Sequence, residues 1–205
     1  MLGTYTIGVE TSKFPQDLAS GFDIATEKML GAEYDLLALL GKKVVNGVNY
    51  ATLAKQTIIS SGKDVDSICL VVLNSQPGDV DGKEMRVVQV ETLVTNGGAL
   101  GGFKINPSSS IPEEAKNAWD KKFAGFVGSN IEPFMFLGSQ VVGNGTAYKY
   151  AAKSTMIVNP NCIAKTQGTK VVLVTIILDE IVAFDDIITG SESAGLLQGT
   201  QLTWP

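Results

Sequence analysis

The stretch Leu40-Gly41-Lys42-Lys43-Val44-Val45-Asn46-Gly47-Val48-Asn49-Tyr50 returns later as Leu137-Gly138-Ser139-Gln140-Val141-Val142-Gly143-Asn144-Gly145-Thr146-Ala147-Tyr148. The offset is 97 residues up to the valines and 98 from Asn46 and Asn144 onward, so the second copy carries one extra residue, Gly143, at the turn. Asn-Gly between strand-like runs is a strong hairpin signal, because both central residues of a type I′ turn need positive φ. Either copy alone is no more than a good hairpin tip. The two together predict two modules.

The correspondence extends in both directions. Upstream, Pro15 falls on Pro112, Phe22 on Trp119, Asp23 on Asp120 and Gly31 on Gly128; downstream, Tyr50, Ala54, Lys55 and Thr57 meet Tyr148, Ala152, Lys153 and Thr155. A period near 97 is far too long for a solenoid unit, so the economical reading is a duplicated small domain, with modules at residues 1–97 and 98–205. Units of this size can fold alone, though with a thin core.

Within the first module, residues 4–9 read as a short edge strand. Leu18, Phe22, Ala25 and Met29 recur at helical spacing and predict a helix from about Pro15 to Gly31. Strand-like runs follow at residues 34–45, 48–59, 67–73 and 85–94, with a breaker cluster at residues 74–79. Residues 95–110 hold four glycines, a proline and three serines, and read as a linker and a loose lead-in. Ser110 and Glu113 form a capping-box pattern for a second helix whose buried face is Ala115, Trp119, Phe123 and Phe126. Strands are expected at residues 131–142, 146–158, 169–178 and 180–188, with residues 189–205 as a tail or a final short strand. One helix followed by an antiparallel meander is an α+β unit, in which the sheet covers the apolar face of the helix.

Apolar residues at 44% and charged ones at 18% describe a folded globular chain. A net charge of −5 with 16 basic residues spread thinly argues against a nucleic-acid partner, since neutralising phosphates takes clustered Lys and Arg. The acidic balance fits ordinary solubility or a basic partner surface. Cys69 and Cys162 fall one in each half, so no disulfide framework is written here; reduced, buried thiols without a catalytic role are the expectation. The first residues lack the basic flank and apolar core of a secretory signal, which predicts a cytoplasmic chain as the sequence stands, or a secreted one if a signal has been removed. No run approaches eighteen apolar residues, so no membrane span is expected.

A helix, a long strand, a Val-Val-Gly hairpin tip and an Asn-Tyr opening the next strand resemble the cystatin/stefin family of cysteine-protease inhibitors, whose hairpin reads Gln-Val-Val-Ala-Gly-x-Asn-Tyr. The first copy keeps Val44, Val45, Gly47, Asn49 and Tyr50 but has Lys43 for the Gln; the second keeps Gln140, Val141 and Val142 and departs after them. The run from Leu70 to Gly78 also looks like the stefin strand that ends in a Pro-Gly loop, whereas the second module has Leu178-Asp179-Glu180 there. The resemblance implies two tandem cystatin-like modules, each with one helix packed on a curved antiparallel sheet. It also implies a protein-binding wedge directed at a papain-like protease. Carried over, the contacts are Gly3 or Gly8, the tip Val44, Val45, Asn46 and Gly47, and the loop Gln76, Pro77 and Gly78; in the second module they are Gln140, Val141, Val142, Gly143, Asn144 and Gly145. The alternative is a structural or interaction scaffold (envelope, secreted or phage-associated) that keeps such tips as plain turns. An exposed apolar edge favours inhibition, and a charged or buried one favours the scaffold.

An enzyme is not expected. The sequence contains no histidine, which removes Ser-His-Asp and Cys-His catalysis and His-ligated zinc from this chain. Asp179, Glu180, Asp185 and Asp186 are the densest carboxylate cluster; their spacing matches no calcium loop and reads as a solvated face. Residues 97–102 are glycine-rich but lack the Gly-Lys-Ser/Thr ending of a phosphate loop, and Asp64, Asp66, Asp79 and Asp81 read as turn residues. No metal or cofactor is expected.

Overall fold

The computed structural model describes residues 4–59, 64–96, 102–157, 168–178 and 180–192. In chain order the elements are β1 (Tyr5–Glu10), α1 (Gln16–Thr26), β2 (Ala32–Val45), β3 (Gly47–Ile58), β4 (Val65–Ser75) and β5 (Arg86–Thr95). They are followed by β6 (Lys104–Ser108), α2 (Glu113–Phe123), β7 (Ser129–Val142), β8 (Gly145–Met156), β9 (Gly168–Ile177) and β10 (Glu180–Glu192). The order of one strand, one helix and four strands thus occurs twice. The matching positions also share their irregularities: β2 shifts register against β3 between Leu36 and Ala38 and again between Leu39 and Gly41, and β7 shifts against β8 between Pro133 and Met135 and between Phe136 and Gly138.

The expected pair of separate helix-on-sheet modules is overturned. All ten strands belong to one sheet, in the order β5-β4-β3-β2-β1-β10-β9-β8-β7-β6. The join is a parallel pair, Tyr5 with Gly190, Thr6 with Ser191 and Ile7 with Glu192, so β1 lies at the middle of the sheet and not at an edge. The local pattern of residues 4–9 carries no trace of a partner that lies almost the whole chain away. A second long-range contact, between β4 and β6, shows that the sheet curls its ends toward each other.

Alternation along the strands builds three cores from this single sheet. Ala38 and Leu40 turn inward, and with Ile7, Leu53, Leu70, Met135, Leu137, Val171, Leu173 and Ile188 they form an inner core drawn from both halves. Leu39, between them, turns outward to α1 and packs with Leu18, Phe22, Ala25, Tyr50, Val71 and Leu73. On the second half, Ala115 and Trp119 of α2 cover Phe136, Tyr150, Val172 and Val174 in the same way. Phe22 and Trp119 are both buried where helix meets sheet.

Local expectations fail where a cap or a tertiary partner decides. Helix α1 ends at Thr26, whose hydroxyl donates to the carbonyl of Phe22 at 2.9 Å, and the chain then turns through Gly31 at φ 83°, so Met29 lies beyond the helix. Helix α2 is capped at Pro112, with no side-chain cap; Ser110 instead accepts the Ser108 hydroxyl through its carbonyl at 2.8 Å. Proline at this boundary holds φ near −56° and turns the chain into the first helical residue. Residues 104–108, expected in a loose lead-in, form β6 against β7, and β10 continues to Glu192.

Candidate binding edge

The first tip is tight: Val44 pairs with Val48 and Val45 with Gly47, leaving Asn46 alone at the bend. Gly47 has φ 93°, and Asn46 is not in the positive-φ region, so the turn is not the type I′ that Asn-Gly predicts. In the second tip Val142 pairs with Gly145, and Gly143 alone holds positive φ, at 54°. Glycine at the first central position is the type II′ pattern. The inserted Gly143, not the Asn-Gly dipeptide, therefore makes the second turn.

Tip and loop meet in the first half. Strand β3 pairs with β4 so that Val48 faces Ser75, which brings residues 76–78 beside Asn46 and Gly47. Side-chain amides then fasten them: Gln76 Nε2 donates to Asn74 Oδ1, and Asn74 Nδ2 donates to Asn49 Oδ1 at 2.7 Å and to the carbonyl of Asn46 at 3.4 Å. A backbone bond from Asp79 to the carbonyl of Gln76 at 3.1 Å closes the loop, with Gly78 at φ 88°. Pro77 and Gly78 are exposed, Val44 is 77% exposed, and Val45 and Asn46 are also open to solvent.

Gly8 joins Val44 by another route. Both line a groove of about 530 Å³ together with Thr6, Glu10, Lys13, Leu39 and Lys42, in which a Cβ at position 8 would meet nothing within 4 Å. The groove carries two lysines and one carboxylate over an apolar floor. Lys42 Nζ also sits 5.5 Å from the ring centroid of Tyr50, whose hydroxyl donates to Asp17 Oδ2 at 2.6 Å. Burial first, and then the Asp17 bond and charge, push the Tyr50 pKa far above the usual phenol range. Gly3 lies outside the described residues.

The second tip stands apart, because β1, β10 and β9 separate β2 from β8. Val141, Gly143 and Asn144 are exposed, and Gln140, Val142 and Gly145 are half-buried. A turn through Leu178, a non-glycine residue at φ 48°, takes the place of the Pro-Gly loop, and its side chain would lie 2.4 Å from a Cβ at Gly145. The structure therefore brings the first tip and residues 76–78 together, with Gly8 in the groove that adjoins Val44, and leaves residues 140–145 several strands away along the same side of the sheet. Sequence reading missed Asn74, Lys13, Lys42 and Leu178, and took Asn49 only as part of the hairpin motif; Asn49 and Asn74 differ in no sequence property from other turn-flanking asparagines.

The carboxylates do not converge. Asp186 pairs with Lys170 at 2.7 Å and Glu180 with Lys122 at 3.3 Å, Asp179 lies outside the described residues, and no group of three or more potential metal ligands occurs among the described residues. Lys149, which sequence reading passed over, is half-buried, donates to Thr175 Oγ1 at 2.9 Å and lies 5.8 Å from the centroid of Phe103. Burial pushes its pKa down, against the pull of Asp185. No helix among the described residues is long and apolar enough to cross a membrane. No family model, curated protein or solved structure matches this chain.

Cys69 is buried beside Gln56 Oε1 at 3.6 Å and Thr92 Oγ1 at 3.8 Å, and burial pushes its pKa up. A thiol so placed stays protonated and out of reach at neutral pH. Cys162 lies outside the described residues. In a Cys162→Ser background, Cys69 is expected to react with a thiol reagent only at the rate of opening of the fold; labelling as fast as free cysteine would contradict its burial.

Proposed function

We propose that this chain is a non-catalytic protein-binding module whose contact edge is the first hairpin tip with the loop 76–78 and the adjoining groove. The observation that carries this reading is the amide ladder of Gln76, Asn74 and Asn49, which holds an exposed Val-Val tip against an exposed Pro-Gly loop. An apolar edge fixed in advance loses little conformational entropy on docking, so its small area is used well. The absence of histidine and the buried, protonated thiol of Cys69 supply no nucleophile–base pair, in keeping with a binding role.

Selection of peptides from a displayed library on the full chain tests the edge. Peptides that bind are expected to lose at least about tenfold in affinity against Val44→Asp, which places a charge at the centre of the contact. Peptides that bind Val44→Asp unchanged would move the binding surface elsewhere.

A second reading, a papain-like protease as the partner, is favoured by the contiguity of a Val-Val tip and a Pro-Gly loop on one edge. Titration of papain with the full chain separates the two: inhibition relieved by Val44→Asp supports it. No inhibition at high micromolar concentration leaves the scaffold reading.

A further inference from the structure

The opposite edge of the sheet carries a second exposed apolar feature, and it occurs twice. In the first half, Leu30 is 98% exposed, Ile58 and Ile59 are exposed, and their backbones adjoin at the strand end, because Ala32 pairs with Ile58 and the Ile59 amide donates to the carbonyl of Gly31 at 3.1 Å. In the second half, Val127 is 85% exposed, Met156 and Ile157 are exposed, Ser129 pairs with Met156, and the Ile157 amide donates to the carbonyl of Gly128 at 3.1 Å. Exposed Phe126 enlarges this second patch. Leu30 and Val127 are related by the offset of 97, and Ile58 with Met156 and Ile59 with Ile157 by 98. Two of the three pairs differ in identity, and all stay large, apolar and exposed.

Both patches lie at the same end of the strands. From β2 to β7 the ladders run antiparallel, parallel, antiparallel, antiparallel and antiparallel, so β2 and β7 run in the same sense. Their starts, with the two patches, lie off one edge of the sheet, and their ends, with the two tips, lie off the other. We propose that the patch-bearing edge is an interface between two copies of this chain, the first-half patch of one copy meeting the second-half patch of the other. A second copy is the partner whose two patches are spaced to match: the distance between them is the same in both molecules, so both contacts form together whatever that distance is. Seven large side chains offering roughly 60–120 Å² each present on the order of 500 Å² of apolar surface. That is a large part of the roughly 800 Å² that a standard interface takes from each partner.

Sedimentation velocity of the full chain over a wide concentration range tests this. The expected result is a monomer–dimer equilibrium in the unmodified chain. The double variant Leu30→Lys with Val127→Lys is expected to raise the dimer Kd by roughly a hundredfold, because each lysine sits twice in the symmetric contact. Both side chains point into solvent in the single chain, so the circular dichroism spectrum should not change, nor the unfolding midpoint at concentrations where the chain is monomeric; if that variant fails to fold, Ile59→Gln with Ile157→Gln takes its place. A chain that is monomeric at every concentration, or a dimer that the lysines leave intact, overturns the proposal. Binding of a monomeric chain to phosphatidylcholine vesicles, lost in the lysine variant, would also overturn it and assign the patches to a lipid surface.

Discussion

Gly47→Val is expected to lower the stability of the chain by about 3–5 kcal/mol, well beyond a change confined to the binding surface. Read as sequence, position 47 is a turn glycine whose replacement thickens the tip and leaves the fold largely intact; the structure gives a harsher reason. Gly47 holds φ 93°, and a Cβ there would stand 2.0 Å from the carbonyl oxygen of Ser75 and 3.2 Å from Cα of Gln76. Both obstacles are backbone, of the last residue of β4 and of the loop that follows it, so no rotamer change relieves them, and the β3–β4 ladder must open at its end. Gly143→Val is the control: φ is 54° and a Cβ would meet nothing within 4 Å, which leaves only the backbone penalty of about 1–3 kcal/mol. Urea unfolding followed by circular dichroism measures both. Equal costs at the two sites would show that backbone conformation alone, without the Ser75 contact, sets the price.

The difference between these glycines marks where sequence reading stops. Helices and hairpins are local, and the spacing of Leu18, Phe22 and Ala25 or the turn between Val142 and Gly145 is written within a few residues of where it acts. The position of β1 is not local: Tyr5 meets Gly190, where a Cβ would lie 2.1 Å from the Tyr5 carbonyl oxygen, and neither residue signals the other in sequence. A sheet joined by such a pair looks in sequence like two separate sheets, because each meander is complete in itself. Strand β6 was hidden for another reason, since Pro107 and the flanking serines argue against a strand unless it lies at the end of a sheet, as it does here.

The candidate edge divides the same way. Val44, Val45, Pro77 and Gly78 are legible as turn residues from their types alone. That Asn49, Asn74 and Gln76 join them through side-chain amides depends on the β3–β4 register, in which Asn49 faces Asn74. Register follows from the alternation of buried residues along both strands, and that alternation can be read only once the inner and outer faces are known.

Trp119→Ala is expected to cost about 3–5 kcal/mol, and Phe22→Ala a similar amount, because each ring is the largest group between a helix and the sheet. Trp119 stacks on Phe123 with centroids 4.3 Å apart and meets Tyr150 edge-on at 5.0 Å, and Tyr150 in turn donates its hydroxyl to the carbonyl of Ala115 at 2.8 Å in the same helix. Removing the indole therefore loosens the contact that positions the Tyr150 hydroxyl, and a buried hydroxyl that loses its acceptor adds about 1–3 kcal/mol to the cavity cost. The inner core decides the form of the transition. Leu40, Leu53 and Leu70 of the first half belong to the same cluster as Leu137, Val171 and Leu173 of the second, and β1 is hydrogen-bonded to β10, so loss of α2 weakens a layer that both halves share. Unfolding of either variant should remain one cooperative transition, displaced to lower denaturant and the same by near- and far-ultraviolet circular dichroism. Two resolved transitions in Trp119→Ala, with one at the midpoint of the unmodified chain, would mean that the halves unfold independently and that the shared core does not couple them.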